Sequence, residues 1–145
     1  MFNPTREEAR RFFFDTWHKY SVKETLSALE GTALDIMLQH PEYHAMLANP
    51  DKYLTHDYLP EFGETNPFLH MSMHLAIEEQ LSIDQPPGIR THFQRLFEKC
   101  NSAHAAQHIV MDCLAEMIWQ AQRNQSSPNA EFYLECMQLK ATTTT

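Results

Sequence analysis

A chain of 145 residues, 43% of them hydrophobic, is long enough to bury a sizeable core as one domain without cross-links. Its formal charge of −8, from 19 acidic against 11 basic residues, excludes a nucleic-acid footprint, which needs a concentrated basic face. No apolar run approaches the roughly 18 residues of a membrane span, and the opening MFNPTREEARR lacks a basic-then-apolar leader, so the expected compartment is the cytoplasm. Cys100, Cys113 and Cys136 are odd in number and form no C-x2-C pair, which reads as three reduced thiols.

Only three glycines and repeated 3.6-residue periodicity predict an all-α fold, a compact bundle of about five to seven helices in a single domain over residues 1–145. Asn3-Pro4 is a cap-then-proline start for a first helix near Thr5. Ala9, Phe12, Phe13, Thr16, Trp17 and Tyr20 form its apolar stripe, with Phe14 off the stripe and His18 solvated. This aromatic helix is the expected surface for a protein partner or a second copy of the chain. Ser27 and Glu30 make a capping box for a second helix, which Pro41 ends at His40. A short helix, PEYHAMLA, follows. Residues 51–65 show no sustained period and read as a packed irregular loop with one helical turn, a candidate lid.

Asn66 and Pro67 open the next helix, expected to reach about Ile83 before Pro86-Pro87-Gly88. Ser72 and Glu79 mark its solvent side, which turns His70, His74, Ile77 and Leu81 inward. An amphipathic helix over Ile89, Phe93, Leu96 and Phe97 ends near Lys99. Ser102 caps the longest element, Ala103 to about Arg123, whose apolar residues cover most of its circumference. Ser127-Pro128 opens a last short helix, and residues 141–145 read as a frayed tail.

The nine histidines include three H-x3-H pairs: His40/His44, His70/His74 and His104/His108. Residues four apart on a helix stack on one face about 6 Å apart, a spacing at which two imidazoles can close on one ion. His74 is followed one turn later by Glu78, and His108 by Asp112. The predicted metal ligands are therefore His70, His74, His104 and His108, with Glu78 and Asp112 as ligands or as partners that orient the imidazoles. Mixed imidazole and carboxylate donors suit zinc, iron or manganese. His40 reads instead as the cap before Pro41, and His40/His44 is the weakest pair. The competing reading is a non-enzymatic interaction protein whose inward histidines are hydrogen-bonded core residues. Whether the protein is an enzyme stays open, since no residue pattern supplies a substrate. There is no Gly-rich phosphate loop, Ser72 points away from the histidines, and Cys113 falls opposite His104.

Two metal bundles offer analogies of site geometry. His74/Glu78 and His104/His108 resemble the H-x3-E and H-x3-H helices of haemerythrin-like di-iron proteins, although no histidine follows His108 to supply their third element. His44 or His70 with His104/His108 resembles the lone histidine plus pair of damage-inducible (DinB-type) bundles. Over most of the chain, HPEYHAML, GETNPFLHMSMHLAIEEQ with QPPGIR, and AQHIVMDCLAEMIWQAQRN are similar to a proteobacterial family catalogued as a domain of unknown function. That resemblance implies a small, soluble bacterial protein without an assigned activity. The family pattern carries acidic residues between the histidines of the long helix, where this chain has Ala105 and Gln107.

Overall fold

The computed structural model describes residues 5–58 and 66–143. Among them are eight α-helices, one short 3-10 turn and no strand, so the all-α expectation holds. The helix count exceeds the expected range because two of the eight are single turns. The chain divides into two compact units, Met1–Leu75 and Ala76–Thr145.

In the first unit, α1 (Arg6–Ser21) starts at Thr5, whose hydroxyl accepts the Glu8 N–H. Asn3 and Pro4 lie outside the described residues. The Ser27 capping box opens α2 (Ala28–Leu38) as its sequence predicts, with both reciprocal hydrogen bonds formed. The Lys19 ammonium, 2.8 Å from the Glu30 carboxylate, holds that carboxyl below the usual range, helped by the Ser27 N–H. Glu30 thus both caps α2 and ties it to α1. The 3-10 turn Pro41–Tyr43, α3 (His44–Leu47) and α4 (Pro50–Tyr53) follow as short pieces set off by Pro41 and Pro50. The expected lid over 51–65 contains the end of α4, and residues 59–65 lie outside the described residues.

The first unit's core joins Phe13, Phe14, Ile36, Met37, Leu47, Phe68 and Met71, with Trp17, Tyr43 and Tyr58 packed against it. Phe14, off the predicted stripe, is buried with its ring edge-on to Phe68 at 5.5 Å. The helix α1 is covered over a wider arc than one stripe. Arg10 is also buried, which its position in a basic cluster did not suggest. Its Nη1 donates to the carbonyls of Tyr53, Leu54 and His56 at 3.0, 3.1 and 2.7 Å, and the guanidinium lies 4.6 Å from the Phe68 ring centre. Those carbonyls take the place of the counter-ion that a buried charge otherwise requires.

The helix α5 (Pro67–Ile83) starts as predicted: the Asn66 side chain accepts the N–H groups of Phe68 and Leu69 at 3.0 and 3.2 Å. The unit division falls within α5. In the second unit, α6 (Ile89–Cys100), α7 (Ala103–Arg123) and α8 (Ala130–Thr142) pack pairwise around Ile89, Leu96, Ala106, Val110, Leu114 and Met137. Gly88 precedes α6 at φ +96, the left-handed backbone that favours glycine, while the Asp84 carboxylate accepts the Gly88 and Arg90 N–H groups. Ser102 caps α7 by accepting the Ala105 N–H. The last helix begins two residues beyond the Ser127-Pro128 expectation, because Asn129 is the side chain that caps it through the Phe132 N–H. Tyr133 is buried and donates its hydroxyl to Gln80 Oε1 at 2.6 Å; burial pushes this phenol well up.

The reading of three reduced thiols needs correction. Cys113 on α7 and Cys136 on α8 are joined in a disulfide with Cα atoms 5.8 Å apart, and Cys100 is free. The pairing follows from α7 packing on α8, a tertiary contact that no local spacing encodes.

Candidate metal centre

Pro41 is the residue that shapes the start of the site. A residue before proline is driven out of the helical region, and His40 sits at φ −126, ψ 67. That backbone ends α2 and swings the His40 ring back along it. Its Nδ1 lies 2.7 Å from the Ile36 carbonyl in the last turn of α2, which also accepts the Gln39 N–H at 3.1 Å. A carbonyl only accepts, so Nδ1 carries the proton, and in the neutral imidazole the lone pair is on Nε2. Tyr43 stacks on the opposite ring face, centroids 5.3 Å apart and planes 5° from parallel. Burial, then Glu42, pushes the Tyr43 phenol up, so it stays neutral beside the imidazole. His40 is 2% exposed, and its orientation is set on three sides.

On α5, His70 and His74 stack as predicted, with ring centroids 4.8 Å apart, and His74 is buried. Each lies 5.0 Å from the His40 ring. His70 Nε2 is 3.2 Å from His40 Nε2, a hydrogen bond in which His70 donates to the lone pair just assigned. His44 has a different task. Its Nε2 donates to the Met37 carbonyl at 2.7 Å, and its ring packs on Trp17 at 4.5 Å. It braces the turn after α2.

On α7, the rings of His104 and His108 are 4.3 Å apart. Gln107, between them in sequence and buried, donates its Nε2 to Glu78 Oε1. Glu78 is half-buried and so holds the α7 turn that carries the pair. Asp112 is exposed.

In the first unit, then, the His40, His70 and His74 rings come together with centroids 4.8–5.0 Å apart, and in the second His104 and His108 are paired. Of the predicted ligands, His70 and His74 meet in the first unit, where His40 joins them, and His104 and His108 meet in the second, where Glu78 reaches Gln107 and Asp112 is exposed. His40 entered by the feature that sequence reasoning used to set it aside: its non-helical backbone aims the ring. The usable signal was the H-P junction after a predicted helix, which frees one imidazole from helical geometry.

No curated protein and no solved structure matches this chain. The profile of one family does, over residues 5–139. That match spans nearly the whole chain, and on it the protein belongs to the family described as a domain of unknown function, DUF1841.

Proposed function

We propose that this protein binds a transition-metal ion through His40, His74, His104 and His108. The observation that carries the reading is the convergence of the His40, His70 and His74 rings in the first unit, His40 and His74 being buried, with the His104/His108 pair offering two more imidazoles in the second. The His40 geometry supports it further. A ligand imidazole ordinarily donates its other N–H to a carbonyl or carboxylate, as His40 Nδ1 does to Ile36. His70 and Glu78 serve in this reading as positioning residues, one against His40 and the other through Gln107. Asp112, exposed on α7, has no part in it.

Four neutral imidazoles suit zinc, iron, copper or nickel, and the absence of a carboxylate from the group makes manganese a poorer fit. Four protein ligands complete a tetrahedral sphere, the arrangement of structural zinc sites, whereas catalytic sites keep one position open. The ion therefore braces the fold in this proposal, and no substrate is assigned.

The competing reading, hydrogen-bonded core histidines without metal, has its own support in the His40–Ile36, His44–Met37 and His40–His70 contacts. A partner-docking α1 has less, because Phe13 and Phe14 are spent on the protein's own core. Elemental analysis of untagged protein, prepared without chelating resin, separates the two main readings. The expected result is one ion per chain, lost in His74→Ala/His108→Ala. Protein that stays substoichiometric after incubation with zinc or iron, and whose melting does not respond to a chelator, overturns the metal reading.

A further inference from the structure

The two sulfurs of the Cys113–Cys136 bridge have unlike surroundings. Cys113 is fully buried in α7, whereas Cys136 on α8 is half-buried and opens onto a surface pocket of about 360 Å³. Ile109 and Leu139 give that pocket apolar walls, and two basic residues, Lys99 and Lys140, line it as well. Cys136, Leu139 and Lys140 fall at i, i+3 and i+4 on one face of α8. Lys99 is anchored beside them, its Nζ donating to the carbonyls of Lys140 and Thr143 at the end of that helix. A cation fixed near a cysteine favours its thiolate, and a pocket at one sulfur decides which sulfur is attacked.

We propose that Cys136 is a thiol–disulfide exchange site, through which a dithiol reductant opens and an oxidised dithiol restores the Cys113–Cys136 bridge. A thiolate of the dithiol enters the pocket and attacks Cys136 Sγ. The new S–S bond forms there as the Cys113–Cys136 bond breaks, and its electron pair goes to Cys113 Sγ, which takes a proton. The second thiolate of the reagent then attacks its own sulfur in the mixed disulfide, releasing Cys136 as a thiolate into the pocket that the lysines line. The dithiol is oxidised to a cyclic disulfide and the protein is reduced by two electrons. A purely structural bridge differs in one respect: it opens only when the protein unfolds.

The test uses the full chain with Cys100→Ser, exposed to dithiothreitol under native conditions and quenched with iodoacetamide at intervals for mass analysis. Reduction should rise in proportion to reagent concentration and outrun global unfolding by at least about tenfold. Glutathione, a monothiol, should leave its adduct on Cys136. Lys140→Met should slow reduction by about threefold or more while helicity is unchanged, and Lys99→Met gives a second reading of the same charge effect. The proposal is overturned if reduction does not depend on reagent concentration, if the adduct maps to Cys113, or if both lysine variants react at the parent rate. It also falls if air-purified protein has two free thiols at 113 and 136 that glutathione disulfide does not join.

Discussion

Two histidines four residues apart, His40 and His44, have been given opposite roles, and a pair of alanine variants tests that difference. His44→Ala removes the hydrogen bond to the Met37 carbonyl and the Trp17 ring contact. At about 1 kcal/mol for each, the cost is about 2 kcal/mol whether or not metal is present. His40→Ala removes a comparable bond, to Ile36, but also one of the four proposed ligands. With free zinc at about 1,000 times its Kd, binding stabilises the parent by about 4 kcal/mol. Changing only a hydrogen-bond partner of a ligand costs up to about 100-fold in affinity, so losing His40 itself costs at least that and leaves about 1.4 kcal/mol of the increment. Thermal melts with zinc and with chelator give the increment for each variant, at about 2–4 °C per kcal/mol for a chain of this size. His44→Ala should keep the parent's zinc-to-chelator gap of about 8–16 °C, and His40→Ala should show a third of it. Equal gaps in the two variants would refute the division of roles.

Other consequences follow from the same geometry. The Cys113–Cys136 bridge closes a 23-residue loop, for which chain entropy gives about 3.4 kcal/mol, so Cys113→Ser/Cys136→Ser should lose roughly that in guanidinium unfolding; a loss under about 1 kcal/mol would contradict it. Ser27→Ala should cost about 1 kcal/mol and Ser27→Gly a few tenths, read by the same unfolding, since glycine is the better replacement cap. The Glu30 carboxyl is held low by Lys19, so its contribution is complete above the ordinary carboxylate range and disappears as pH falls through the lowered value. A pH series of melts should therefore be flatter at the acid end in Glu30→Gln. Pro41→Ala should lengthen α2, raise helicity slightly, and weaken zinc binding at least about tenfold by releasing the His40 ring; full zinc affinity in that variant would show that the proline does not set the ring.

What was legible in the sequence was what depends on neighbours along the chain. The Ser27–Glu30 box, the Asn66 start of α5, the Ser102 start of α7 and the turn at Gly88 are local hydrogen-bond and backbone problems with few solutions. The inward face of α5 and the stacking of His104 on His108 follow from helical period alone. Several of the misses involve residues far apart in sequence. Arg10 reads as a surface charge until the carbonyls of Tyr53, Leu54 and His56 meet it. Cys113 and Cys136 read as unrelated thiols until α8 lies on α7. His40 is the instructive case. A rule that seeks ligands at helical spacing ranks it low, because Pro41 removes it from the helix.

That removal has a physical advantage. A histidine within a helix leaves the backbone in a direction set by the helix, so two of them at i and i+4 reach an ion from the same side. Tetrahedral closure needs donors from other directions. Within the first unit, His70 and His74 approach from one helix face, their rings 79° apart, while His40, freed by the proline and pinned by the Ile36 carbonyl and Tyr43, comes from a separate segment, its ring 79° from that of His70 and 56° from that of His74. A donor from a second segment is what one helix alone could not give. His40 Nε2 faces His70 Nε2 at 3.2 Å, so His70 can hold that lone pair in the absence of an ion and release it to one. The same contact that satisfies a buried imidazole without metal thereby keeps it aimed for metal, and this is why hydrogen bonding among the histidines does not by itself argue against a metal site.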